Sequence, residues 1–65
     1  MDIDYIRKIM KLHSKTIKHV AHQIYTDERR LYYFFQKKRK LKPNELHRLS
    51  RYIEDLENTE LFREV

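Results

Sequence analysis

The chain has no cysteine, no glycine and a single proline among its 65 residues. Without cysteine it can form neither disulfides nor thiolate metal sites, which excludes zinc fingers and thiol catalysis. Without glycine it lacks the Gly-rich loops that bind phosphates in P-loop and dinucleotide-binding proteins. Its longest apolar or aromatic run, residues 31–35, is far too short to span a membrane. Residues 1–4 are acidic where a secretory signal is basic, so we expect a soluble cytoplasmic protein with no membrane span.

The charge is unevenly distributed along the chain. Through residue 53 there are fourteen Lys and Arg against five Asp and Glu, whereas residues 54–65 contain five acids and one base. A chain of this length buries only roughly 60% of its unfolded surface, so we expect a single domain, residues 1–65, whose core depends on packing alone. A basic body favours a polyanionic partner: nucleic acid first, and an acidic membrane or protein second.

The residue types favour helices throughout. Asp2 or Asp4 is expected to cap the first helix, Thr16 the second, and Thr26 or Asp27 the third. Pro43 suits the first position of a fourth helix. The predicted apolar faces are Ile6, Ile9 and Met10; Ile17, Val20, Ala21 and Ile24; Leu31, Phe34 and Phe35; and Leu46, Leu49, Ile53 and Leu56. Asn58 is predicted to end the fourth helix in a left-handed conformation, with one further turn starting at Thr59.

The second and third helices, joined by a turn of about three residues, have the proportions of a helix-turn-helix. Residues 16–36 resemble the DNA-binding motif of the lambda repressor, Cro and related XRE-type regulators. Ala21 matches the small residue where the two helices cross, and the core positions of the motif are matched by Val20, Ile24, Leu31 and Phe34. The resemblance covers residues 3–56 and implies an all-α, lambda-repressor-like domain of four to five helices. The sequence departs from the family at Tyr25, where glycine is common and the chain often turns left-handed.

The resemblance implies that the third helix lies in the major groove and reads bases with Glu28, Arg29, Tyr32 and Tyr33. Arginine can bind guanine O6 and N7 together, and glutamate can accept from cytosine N4. Glu28 has an alternative role, as a helix-dipole residue that contacts no base. The resemblance also implies a phosphate contact by Gln36. Further phosphate contacts are predicted for residues at the start of the second helix and in the basic loop: Thr16, Lys18, Lys37, Lys38, Arg39 and Lys40. The four adjacent basic side chains of the loop, residues 37–40, could instead be exposed charges that contact only solvent.

Two histidines, His19 and His22, are spaced three apart on one helical face. A transition-metal site usually needs three or four ligands, and carboxylates are scarce nearby. We therefore predict no metal and no cofactor. Because no histidine is tied by sequence to a nucleophile, we also expect that the protein is not an enzyme.

The acidic tail, residues 54–65, contains the apolar side chains Leu56, Leu61, Phe62 and Val65. These either pack back on the first helix or form a dimer interface. We expect a homodimer on an inverted-repeat operator, because one half-site rarely provides enough contacts for specific binding.

The resemblance implies a Cro- or repressor-like regulator of phage or mobile-element type. The alternative is an interaction module with the same fold that binds a repressor or polymerase subunit, a role that an aromatic-rich third helix would suit.

Overall fold

A computed structural model describes the backbone of residues 2–64 and the side chains of residues 2–59. Over this range the chain forms four helices and no β-strand. The helices are α1 (Ile3–Leu12), α2 (Ile17–Gln23), α3 (Glu28–Phe35) and α4 (Pro43–Glu64). The prediction of an all-α protein is confirmed.

Each helix begins where the sequence predicts. Asp2, Thr16 and Asp27 have extended backbones, and each side chain accepts a hydrogen bond from a backbone N–H two or three residues further on. These bonds satisfy N–H groups that the first turn of a helix leaves unpaired. Helix α4 begins at Pro43, whose missing N–H has no cost at that position.

Helices α1, α2 and α3 end in the same way, with a residue in the left-handed conformation. Ser14, Tyr25 and Lys37 have φ angles of 57°, 57° and 62°. In each case the N–H of that residue bonds to the carbonyl three residues back, and the next N–H bonds to the carbonyl five residues back. This is the Schellman motif, in which glycine is the usual residue. The chain has no glycine, so three larger side chains take up a conformation that costs a non-glycine residue about 1–2 kcal/mol.

One hydrophobic core joins the four helices. Helix α1 packs against α3 and α4, and α2 packs against α3. The buried side chains are Ile6, Ile9, Met10, Val20, Ala21, Ile24, Leu31, Phe34, Phe35, Leu41, Leu49, Ile53 and Leu56. The predicted apolar faces are confirmed, with Ile17 and Leu46 partly buried at the edge. The sequence analysis did not place Leu41 in the core. Leu41 comes from the basic connection after α3 and anchors that connection to the interior.

The prediction that Asn58 ends the fourth helix is wrong, because α4 continues to Glu64. No glycine or proline follows Asn58, and the next residues include good helix formers. The hydroxyl of Thr59 donates to the carbonyl of Asp55, 2.9 Å away and one turn back, as helical Thr residues often do. The helix therefore extends about two turns beyond Leu56.

Candidate nucleic-acid interface

Helices α2 and α3 pack against each other across a short connection, residues 24–27. Tyr25 occupies the place where the resemblance implies glycine, and it adopts φ 57°. Its N–H bonds to the carbonyl of His22 at 3.4 Å, and the N–H of Thr26 bonds to the carbonyl of Ala21 at 3.0 Å. The left-handed turn is therefore kept although the residue is tyrosine, and the strain falls on Tyr25.

Arg48, on α4, holds this turn from outside. Its Nε donates to the carbonyl of Ile24 at 2.7 Å, which satisfies a carbonyl at the end of α2. Its guanidinium carbon lies 5.6 Å from the centre of the Tyr25 ring, within cation–π range. Tyr25 as a whole is 81% exposed even with this contact. Arg48 thus links the longest helix to the geometry of the α2–α3 connection.

Glu45 ties the same connection to the start of α4. This carboxylate is 5% exposed and accepts from the Thr26 hydroxyl at 2.5 Å, from the Arg30 guanidinium at 3.1 Å and from the backbone N–H of Lys42 at 2.8 Å. Burial by itself raises the pKa of Glu45, but these hydrogen bonds and the Arg30 charge outweigh it, so the pKa lies below its ordinary value of 4.5. A charged Glu45 therefore fixes α3 and α4 relative to the turn.

The four predicted base-reading residues come together within the first six residues of α3. Glu28, Arg29, Tyr32 and Tyr33 line one open depression, together with Asp27 and Ile17. All four are exposed, and the Tyr32 and Tyr33 rings meet edge to face with centroids 5.6 Å apart. The backbone N–H of Arg29 is bound by Asp27 at 2.7 Å, so the start of α3 is fixed while the Arg29 side chain projects from it.

The predicted phosphate-contacting residues at the start of α2 lie on the surface. The Thr16 oxygen accepts from the N–H of His19 at 3.1 Å, so Thr16 serves as the helix cap and keeps a hydroxyl proton to donate. Lys18 is exposed and is the second residue of α2. Both residues line a depression between α2 and the start of α3 that also includes Glu28.

The predicted phosphate-contacting loop follows α3 directly. Gln36 is the C-cap residue of α3, and the side chains from Gln36 to Lys40 are exposed. The loop is fixed at its start by the left-handed Lys37 and at its end by the buried Leu41. The ammonium of Lys37 lies 3.8 Å from the carboxylate of Asp4, and both groups are well exposed. The basic loop, residues 37–40, is therefore anchored to the fold at both ends.

The structure reveals a second basic surface that the sequence analysis missed. Arg7, Lys8 and Lys11 of α1, with Lys15 from the following turn, line a depression whose other walls include Ile17 and Phe35. Ile17 also lines the depression that contains the four predicted base-reading residues. No sequence motif marks the basic residues of α1. Their period on the helix was the available signal, because Arg7 and Lys11 are one turn apart.

Of the four predicted dimer-interface residues, the structure describes the side chain of Leu56. Leu56 is 8% exposed and belongs to the core of its own chain, so its side chain is not offered to a second copy. This corrects its assignment to an interface: the residue completes the apolar stripe of α4. The side chains of Leu61 and Phe62, and all of Val65, lie outside the described residues.

His19 and His22 belong to no cluster of possible metal ligands among the described residues. Within the described part of the chain, no three His, Cys, Asp or Glu side chains are placed to hold a metal ion. The His19 ring instead faces Tyr52 of α4, with centroids 6.4 Å apart. Burial raises the pKa of Tyr52.

Among the described residues, no helix has the length and apolar character to cross a membrane.

Comparisons with known proteins give no assignment: no protein-family model, curated protein or solved structure matches this chain.

Proposed function

We propose that this chain is a sequence-specific double-stranded DNA-binding regulator of the lambda repressor and Cro type, with α3 as its recognition helix. The observation that carries the proposal is the gathering of Glu28, Arg29, Tyr32 and Tyr33 in one open depression at the start of α3. Recognition helices present their N-terminal residues to base edges in this way.

The roles follow from the chemistry of these side chains. Arg29 binds guanine O6 and N7, and Glu28 accepts from the N4 amino group of cytosine. Tyr32 and Tyr33 supply apolar contact area and hydroxyls beside them. The scaffold behind these residues is rigid, because Arg48 and Glu45 fix the turn that sets the angle between α2 and α3.

Phosphates are contacted on either side of the recognition helix. Thr16 and Lys18 lie at the amino end of α2, where backbone N–H groups and the helix dipole favour an anion. Gln36 and the basic loop, residues 37–40, lie at the carboxyl end of α3. These contacts supply affinity and register, and the bases supply specificity.

The second candidate is an interaction module that binds another protein. It is favoured by three exposed tyrosines: Tyr25, Tyr32 and Tyr33 are 81%, 47% and 36% exposed. Exposed aromatic side chains are enriched at the centres of protein interfaces. Duplex DNA is preferred here because basic surfaces flank α3.

The regulator is proposed to bind as a homodimer on an inverted repeat. Two recognition helices about 34 Å apart would enter successive major grooves on one side of the duplex. The support in this chain is the length of α4, which continues to Glu64, beyond Leu56, the last core residue among the described side chains.

The test is a fluorescence anisotropy titration of the protein against a labelled random-sequence duplex at several salt concentrations. We expect a dissociation constant on the order of 10⁻⁴–10⁻⁶ M at physiological salt, with the logarithm of the association constant falling linearly with that of the salt concentration. No binding even at low salt would overturn the proposal and leave the interaction module as the better account.

A further inference from the structure

Two depressions adjoin along α3: the reading depression, which contains the four predicted base-reading residues, and the basic depression beside α1. Glu28, Tyr32 and Phe35 are spaced i, i+4 and i+7 and so share one face of α3. Glu28 and Tyr32 line the first depression and Phe35 lines the second. Ile17, at the start of α2, lines both. The two depressions therefore adjoin at Ile17 and follow one face of α3, an eight-residue helix about 12 Å long.

The charges of this surface change along its length. The first stretch, at the start of α3, has Asp27, Glu28 and Arg29, so its charge is mixed. The second stretch has one acidic residue, Asp4, and four basic residues: Arg7, Lys8, Lys11 and Lys15. Asp4 is itself partly neutralised by Lys37, 3.8 Å away. A mixed stretch suits base edges, whereas a basic stretch suits a row of phosphates.

The basic side chains stand on a rigid base. Phe35 is 3% exposed, and Met10, which also lines the depression, is 4% exposed. Arg7 and Lys11 are one turn apart on α1, and Lys15 follows the left-handed Ser14 that ends the same helix. The spacing between these charges is therefore set by the core and by a fixed helix end.

We infer that this basic surface, defined by Arg7, Lys8 and Lys11 of α1 and Lys15 of the following turn, is a second phosphate-binding surface. Its ligand is the backbone of one DNA strand of the same duplex whose major groove holds α3. The inference rests on the proposed function and extends it, because it adds α1 to a contact surface otherwise made by α2, α3 and the basic loop. The continuity through Ile17 selects this occupant, since a strand leaving the reading depression passes directly onto the basic stretch.

The experiment measures the salt dependence of duplex binding for the full chain and for Arg7→Gln, Lys11→Gln and the double variant. Arg51→Gln is the matched control, because it removes one charge from an exposed residue on α4 that lines neither depression. Each single α1 variant should lower the slope of log affinity against log salt by about 0.9, the double variant by about 1.8, and the control should leave it unchanged. For the double variant, the disadvantage relative to wild type should shrink about 10-fold between about 50 and 200 mM salt.

The outcomes separate this inference from the proposed function. If the wild-type chain binds duplex and the α1 variants keep its slope, as Arg51→Gln does, the second surface does not exist and the reading helix is unaffected. If the wild-type chain fails to bind duplex at low salt, the proposed function itself is overturned, and this inference with it. Circular dichroism of each variant checks that α1 remains helical.

Discussion

Ser14 offers a direct test of the glycine-free helix ends. Its φ of 57° costs a non-glycine residue about 1–2 kcal/mol, and Ser14→Gly removes that cost. Glycine also lowers the free energy of unfolding by about 0.5–1 kcal/mol, because it loses more chain entropy on folding than serine does. The net expectation is a gain of about 0.5–1 kcal/mol in the free energy of unfolding, or about 2–8 °C in Tm for a domain of this size.

The assay is urea and thermal unfolding followed by circular dichroism. Lys8→Gly, at an exposed position within the same helix, is the matched control and should lower the stability by about 1 kcal/mol. Tyr25→Gly should gain less than Ser14→Gly, because it also loses the Arg48 contact, worth about 0.5–1 kcal/mol. A Ser14→Gly protein that is destabilised like Lys8→Gly would refute the strain at this helix end.

The remaining predictions concern Glu45, Tyr52 and the tail. Glu45→Gln should lower the free energy of unfolding by about 1.5–3 kcal/mol at neutral pH. Because the folded-state pKa of Glu45 is lowered, its stabilisation is complete above the ordinary value of 4.5 and is lost as the pH falls through the folded pKa. Urea unfolding at about pH 7 and about pH 3 should thus show a flatter pH dependence for the variant than for wild type, and parallel profiles would contradict this. Tyr52→Phe should raise the stability by up to about 1 kcal/mol, because the buried hydroxyl has no hydrogen-bond partner among the described residues. Tyr5→Phe, which loses a bond to Glu57, is the control, and a Tyr52→Phe protein less stable than wild type would count against the assignment. Truncation after Glu57 keeps Leu56 and should leave a folded monomer with weaker operator binding, measured by sedimentation and titration. Outright unfolding, or an intact chain that sediments as a monomer, would argue against a dimer formed by the tail.

Local features of the fold were predictable because their causes are local. A Thr or Asp side chain bonds to N–H groups within three residues, so Thr16 and Asp27 identify helix starts from sequence alone. The apolar faces follow from helical period, which needs no knowledge of the partner helix. The end of α4 was missed because Asn58 has only a weak preference for ending a helix, and the residues after it support continuation.

Long-range features of the site were not predictable in this way. The Glu45–Thr26 bond joins residues nineteen positions apart, and Arg48 reaches the carbonyl of Ile24 across twenty-four. Neither contact leaves a periodic signal in the sequence. The basic face of α1 does have a helical period, from Arg7 to Lys11, but its position beside Phe35 of α3 depends on how the helices pack and cannot be read from that period.

Base reading by α3 is tested most directly by titrating wild-type, Arg29→Ala and Lys38→Ala proteins against a duplex selected from a random library and against random duplex. Arg29→Ala should weaken binding to the selected duplex by about 1–3 kcal/mol and change random binding less. Lys38→Ala should weaken both alike and reduce the salt slope by about one. Equal losses on selected and random duplex for Arg29→Ala would contradict its role as a base-reading residue.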